Sequence, residues 1–375
     1  MFPTVRRRRL HALLVLLGSL GSWFPSSGRA GTKDGTLDLY WVDSEGGGST
    51  LLVTPAGESV LIDAGNPGGR DPGRIHRVAR DVAGLDHIDH LIVTHFHLDH
   101  FGGVGELAAL IPVWNLWDNG LPDADPDGQA ASTWPLTSRP YREAKVRTRQ
   151  VVKPGAVIPL KTGTTSLTLQ CVIARQEPWS PPDGIRRPAE AKDAPAAKAR
   201  DTSDNANSSA WILSYGGFGF YTGGDLTWNV EARLIWPEIL VPEVDVFQVV
   251  HHGLDVSNQP RLVRALNPQV SVMNNGPTKG AMAEVMATLR GLPELKAQFQ
   301  VHKNVRPDGV TNNCPEACIA NLERECAGHY VRCTVSPSGG KFTMQARPGA
   351  PGRVFESRGK VGAASEASAG AARLR

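Results

Sequence analysis

Hydrophobic positions along this chain change period several times, and the changes mark its elements. Thr36 to Val42 (TLDLYWV), Thr50 to Thr54 and Ser59 to Ile62 are short apolar or alternating runs. Glu45-Gly46-Gly47-Gly48 and Pro55-Ala56-Gly57 separate them, a pattern that predicts a meander of hairpins. Strand and helix alternate from there. Asp71 to Ala83 has helical spacing, His90 to Thr94 (HLIVT) reads as a buried strand, and Gly105 to Leu110 opens a helix that Pro112 closes. From about Trp117 to Gln150 the chain is rich in Asp, Pro and Gly with little periodicity, which predicts a surface loop or insertion.

A second β series, Val151 to Arg175, precedes a Pro/Ala/Lys/Asp-rich segment from Glu177 to Asp201 that reads as a mobile loop. Trp211 to Phe220 and Val246 to Val250 are predicted strands, with a helix over Trp228 to Trp236 between them. Helix then strand follows twice more, at Pro260 to Leu266 with Val270 to Met273, and at Met282 to Leu289 with Gln298 to His302. Large apolar residues almost vanish after Pro348, so residues 347–375 are expected to form a disordered tail.

Residues 1–30 stand apart. Arg6 to Arg9 form a basic stretch, Leu10 to Trp23 an apolar one too short to span a bilayer comfortably, and Gly28-Arg29-Ala30 a small-residue cleavage signal. The pattern is that of a secretory signal peptide, by the general or the twin-arginine route, and places the mature protein in the periplasm or outside the cell, with no membrane attachment after cleavage. Cysteine placement points the same way. Cys314, Cys318, Cys326 and Cys333 lie within twenty residues of one another, and two local disulfides are the favoured reading, with a structural zinc site as the competitor. Cys171, in the alternating run LTLQCVIA, reads as a buried thiol.

Overall charge narrows little. Lys and Arg number 40 against 37 Asp and Glu in 375 residues, a net +3 that is too small to predict nucleic-acid binding. The basic run Arg139 to Arg149 (RPYREAKVRTR) reads as a solvated face. Collagen, coiled coil and wholesale disorder are excluded, since 41% of residues are apolar and no heptad or Gly-x-y period runs through the chain.

The candidate chemistry sits at one place. The strand HLIVT runs into His95-Phe96-His97-Leu98-Asp99-His100-Phe101-Gly102-Gly103. Three imidazoles and a carboxylate within six residues offer donors suited to zinc, manganese or iron. His95 and His97 can turn to one side of an extended segment, and Asp99 and His100 on the next turn can face a second ion. The two glycines permit close backbone approach behind the site.

Together with Leu61-Ile62-Asp63-Ala64-Gly65, Thr222-Gly223-Gly224-Asp225 and His251-His252-Gly253, this motif resembles the metallo-β-lactamase superfamily, from about Gly35 to the strand near Lys341. The resemblance implies an α/β fold, a four-layer αβ/βα sandwich. It spans residues 31–346, with insertions near 117–150 and 177–201 and a Cys-rich segment at 314–333. It implies a site for two ions, usually zinc. His95 and His97 would hold the first, Asp99 and His100 the second, and Asp225 would bridge them. His252 is the preferred last ligand and His251 the alternative, while Asp63 would orient a ligand imidazole.

One departure bears on substrate. No histidine lies between His100 and His251, where most dinuclear members supply one. Asp204-Asn205-Ala206-Asn207-Ser208-Ser209 stands there instead, similar to the ComEC-like branch, the soluble domain of DNA-uptake competence proteins. Asn205 or Asn207 would contact metal-bound water or substrate. The resemblance implies a metal-dependent hydrolase, exported on the N-terminal pattern, with Asp99 and Asp225 handling protons; a phosphoester is the leading substrate and a lactone or β-lactam the alternative. A metal-binding protein without turnover is the alternative class.

Overall fold

Short alternating strands in the first third of the chain pair with one another before any helix intervenes. The computed structural model describes residues 30–359 apart from 32, 33, 162, 191 and 193. The signal-like segment up to residue 29 and the tail from 360 therefore lie outside the described residues. β1 (Leu37–Trp41), β2 (Thr50–Val53) and β3 (Ser59–Ile62) form the expected antiparallel meander. β4 (Ile88–Ile92), β5 (Val113–Asp118) and β6 (Val146–Val151) then add in parallel. The second half supplies β7 (Leu167–Ala174), β8 (Glu177–Pro178), β9 (Arg187–Pro188), β10 (Ala210–Tyr215), β11 (Phe218–Thr222), β12 (Glu238–Ile239), β13 (Val246–Val249), β14 (Val270–Met273), β15 (Ala297–His302) and β16 (Ile319–Asn321). The chain returns to the first sheet through β17 (Val331–Val335), β18 (Lys341–Gln345) and β19 (Arg353–Glu356).

Two sheets result, ordered β19-β18-β17-β1-β2-β3-β4-β5-β6 and β16-β15-β14-β13-β11-β10-β7-β8, beside a small β12-β9 ribbon. Leu39, Trp41 and Leu52 of the first sheet bury against Trp211, Phe220 and Val272 of the second. Trp41 meets Phe220 edge to face at 5.7 Å, a geometry worth about 0.5–1.5 kcal/mol beyond burial. Ile75, Val78 and Leu107 cover the outer face of the first sheet, and Leu262, Val263, Val285 and Leu289 that of the second. They belong to α1 (Arg70–Arg77) and the π-turn after it, α3 (Val104–Leu110), α7 (Pro260–Leu266) and α8 (Ala283–Arg290), with α2 (Leu98–Phe101) lying between the first two. Helix, sheet, sheet, helix is the four-layer α/β sandwich that the sequence predicts.

Several expectations need correction. The stretch from Trp117 to Gln150 is not simply a loop. It contains the end of β5, most of β6, and two helical turns, α4 (Trp134–Thr137) and α5 (Arg139–Glu143). Their turns are too short to show a period, yet Trp134 and Tyr141 are buried against Phe96 and Phe101 of the His-rich motif, with ring centroids 5.5–6.2 Å apart. The segment from 177 to 201 is likewise tied down. Trp179 donates to the Leu240 carbonyl at 2.9 Å, and the Lys198 ammonium lies 3.9 Å over the Trp228 ring. Trp211 to Phe220 is a hairpin broken at Gly216-Gly217, and the helix at Trp228 is one α-turn, α6 (Trp228–Glu231), followed by a 3-10 turn. Within 347–359, the part of the predicted tail that is described, Arg353 to Glu356 pairs as β19, because Phe355 stacks on Phe342 at 5.1 Å.

The disulfide expectation fails as well, since all five cysteines are free thiols. Each is committed to different surroundings. Cys314, Cys318 and Cys333 pack into the core between the sheets, whereas Cys326 turns toward the carboxylate of Asp43.

Candidate metal centre

Parallel strands of both sheets end on one side of the molecule, and their carboxyl ends carry every residue of the centre. β3 ends into Asp63, whose backbone is left-handed (φ 62°). Its carboxylate accepts from the Thr94 amide and hydroxyl, both at 2.8 Å, and faces His100 Nδ1 at 2.7 Å. Those contacts fix the turn after β4. Gly48 and Gly103 make room for it. A Cβ on Gly48 would lie 2.6 Å from His100 Nδ1, and one on Gly103 would lie 2.1 Å from the Ala64 carbonyl.

Asp225 reaches in from the loop after β11, fully buried. His100 Nε2 lies 3.2 Å from its Oδ1 and His252 Nε2 3.3 Å, while His251 Nε2 lies 3.3 Å from its Oδ2. The two adjacent histidines thus serve opposite oxygens of one carboxylate. Both adopt left-handed backbone (φ 53° and 55°), a conformation that costs an L-residue about 1–2 kcal/mol and splays the rings apart. Asn258 holds the bend by bonding both the N–H and the carbonyl of Val250 at 2.9 Å.

Outer hydrogen bonds aim the imidazoles. His251 Nδ1 meets the Ser257 hydroxyl at 3.0 Å, His252 Nδ1 the Asn274 carbonyl at 2.9 Å, and His95 Nδ1 the Thr94 hydroxyl at 3.1 Å. With Nδ1–H donated outward, Nε2 of each ring presents a lone pair inward, the arrangement of metal-ligating histidines. His100 and His252 then point Nε2 at each other across 3.2 Å. Such an arrangement needs a cation, a proton or a metal, between them. His95 Nε2 and Asp225 Oδ1 are buried without a hydrogen-bond partner. Donor atoms of Asp99, His100, Asp225 and His252 all fall within 4.8 Å of one another, so the donor set fits a zinc-like ion.

Electrostatics divide charge among the same donors. Burial opposes charge on Asp225 and Asp99, yet His100 and the other imidazoles hold both carboxyls well below their ordinary value. Burial, with neighbouring His100, keeps His95 neutral well below its ordinary range, and burial brings His251 down to about 4. On His100 burial is outweighed by Asp225, Asp63 and Asp99, which raise it well above the usual value.

Sequence reasoning left several participants unnamed. Asp127, from the segment read as an insertion, sets both carboxylate oxygens 3.1 Å from His97 Nε2. The Lys279 ammonium lies 2.5 Å from Asp99 Oδ2 and is partly exposed. Asp204 accepts from the Phe96 amide at 2.6 Å. No motif spacing marks Asp127 and Lys279, which reach the centre only through the fold, whereas Asp204 opens the Asp204 to Ser209 motif but carries no assigned role in it. The two asparagines separate. Asn207 is occupied by Asp204 and Gln176, whereas the Asn205 side-chain oxygen is buried and unpartnered.

Comparison with known proteins gives a family match over part of the chain. Residues 43–159 match the family model described as the metallo-beta-lactamase superfamily, a span that contains Asp63 and the whole of His95 to His100. Over 97 residues the chain is 33% identical to a UPF0173 metal-dependent hydrolase of Polynucleobacter asymbioticus, covering 26% of this chain and 32% of that protein. The match thus spans about a third of the curated relative. Among solved structures, Igni18, a metallo hydrolase of Ignicoccus hospitalis, is 13% identical over 70% of this chain and 94% of its own, with a TM-score of 0.37. CmlA, a diiron β-hydroxylase of Streptomyces venezuelae, is 17% identical over 64% and 44%, with a TM-score of 0.33. The family match and the observed sandwich support a metallo-β-lactamase superfamily domain.

Proposed function

We propose that this protein is a metal-dependent hydrolase of a phosphoester, built on two ions that share Asp225. The observation that carries the reading is the division of imidazoles between the two oxygens of that carboxylate. Asp99, His100 and His252 would hold one ion. His95, His97 and His251 would hold the other, with His251 taking the place of the histidine missing between the motifs and Asp127 available beside His97. The set admits zinc, manganese or iron. When bound, such ions supply Lewis acidity and an acidified water.

The chain's own groups do the rest. Asp99, at the rim, is placed to take a proton from the attacking water. Lys279, bonded to Asp99, presents a positive charge to an anionic substrate, which favours a phosphoester over a neutral lactone. The unpartnered Asn205 oxygen can orient a donor on water or substrate. The Asp204 to Ser209 motif and His251-His252-Gly253 support placement in the ComEC-like branch. Export belongs to the proposal on the N-terminal pattern alone.

Elemental analysis of purified protein, paired with turnover of bis-p-nitrophenyl phosphate, p-nitrophenyl phosphorylcholine, nitrocefin and a lactone, tests the reading. Bound metal with preferential phosphoester cleavage is expected. Lactone or nitrocefin turnover without phosphoester cleavage would transfer the assignment to ring hydrolysis, and no turnover by the metal-loaded protein would make it a binding protein.

A further inference from the structure

A second set of donors lies apart from the Asp225 centre and shares no residue with it. Asp43 follows β1, His302 closes β15, and Cys326 sits in the segment between β16 and β17, so three distant stretches of chain meet there. One donor atom from each lies within 4.8 Å of the other two. Asp43 and His302 are fully buried, and Cys326 is partly so. His302 Nδ1 faces the Lys303 carbonyl at 3.0 Å, and its Nε2 has no partner. A buried imidazole nitrogen with an unused lone pair is costly unless something binds it. Cys326 Sγ lies 3.1 Å from Asp43 Oδ2.

We infer that Asp43, His302 and Cys326 form a further binding site for a zinc-like divalent ion. Thiolate, imidazole and carboxylate are the donors that a borderline-soft ion takes in three-ligand sites, with the remaining position open to water. Burial and the neighbouring Asp43 push the Cys326 thiol up to about 11, so a bound cation is what would draw its proton off. Arg74 pairs with Asp43 and Glu45, each at 3.0 Å, and its other nitrogen lies 3.6 Å from Cys326 Sγ. With the Cys326 thiol ionised, Asp43, Glu45, Asp71 and Cys326 carry four negative charges against the two of Arg70 and Arg74, and one divalent ion makes up the difference. The ion replaces the thiol proton, which leaves to solvent. The site closes the only cysteine among the described residues that is not fully withdrawn into the core, and gives the Cys-rich segment a role that disulfides do not fill. An ion there would pin to the C-terminal segment the end of β1, beyond which the Gly48 amide donates to the Asp99 carbonyl at 2.9 Å.

Cobalt(II) titration of the metal-stripped, reduced full chain tests this directly, because only a thiolate ligand gives a near-ultraviolet charge-transfer band and the Asp225 centre contains no sulfur. The band is expected in the parent, absent in Cys326→Ser, and retained in Asp225→Asn, where the other centre is damaged. Cobalt should also protect Cys326 from maleimide in the parent. Absence of the band at full cobalt loading, with Cys326 shown to be a free thiol, would overturn the inference, as would its persistence in Cys326→Ser. Neither result bears on phosphoester turnover, so the two proposals fail separately.

Discussion

The first sheet and the second sheet bring ligands to the centre in opposite ways. After β4, four donors arrive within six residues, and connectivity alone sets their spacing. After β11 and β13, Asp225, His251 and His252 come from two separate loops, and both histidines sit in left-handed backbone. Left-handed backbone also supports the contiguous run, at Asp63, but in the assembled half it falls on the two histidines themselves. There, Asn258, Ser257, Gln259 and the buried Glu231 hold a bend that no local preference would form, with Glu231 accepting from the Gln259 amide at 2.7 Å. The donors that converge within 4.8 Å come two from each half, Asp99 and His100 from the contiguous run and Asp225 and His252 from the assembled one.

Variants can break that comparison. Asp225→Asn should have the largest effect, since His100, His251 and His252 all face this carboxylate. Turnover should fall roughly 10³-fold, about 4 kcal/mol of barrier, with loss of metal measured by elemental analysis. His251→Ala and His252→Ala should each lose about one equivalent relative to the parent, but from different ions if the adjacent rings serve different sides. Loss of the same ion from both would merge them into one side. Asp63→Asn and Ser257→Ala remove outer partners from the contiguous and assembled halves respectively. Each should weaken metal affinity about 10- to 100-fold in a chelator competition.

Smaller effects sharpen the picture. Lys279→Ala should raise KM for a phosphodiester roughly tenfold, the value of a charge-assisted contact, with kcat less affected. Glu231 gives a pH test of the assembled half. Burial pushes its carboxyl from 4.5 up to about 8. Between those values the unfolded chain has released a proton that the folded protein keeps, so this group's effect on stability becomes less favourable as pH rises and levels off above the folded value. Glu231→Gln removes that slope. Its Tm relative to the parent should therefore rise on going from mildly acidic to mildly alkaline buffer, as followed by thermal unfolding.

Legibility followed the same division. The meander, the helix-strand repeats and the His95 to His100 run were visible because each carries its own period or spacing within a few residues. Asp225 and His252 were reached through short motifs whose meaning came from resemblance. His251's separate position depends on a backbone bend, and Asp127 and Lys279 arrive from loops with no periodicity, so only the fold brings them in. Trp134 and Tyr141 hid inside a Pro- and Asp-rich stretch because single helical turns leave no pattern. The cysteines misled for a related reason. Nearness in sequence suggested pairing, while strand geometry sent Cys333 into the core and Cys326 to Asp43.

The central claim is that Asp225 joins two groups of imidazoles into one hydrolytic metal centre. Metal content and bis-p-nitrophenyl phosphate turnover, measured side by side on the parent and Asp225→Asn, test it most directly. The account predicts bound metal and turnover in the parent, with both the metal of this centre and the turnover lost in the variant. A variant that keeps the parent's full metal content and full turnover would contradict it.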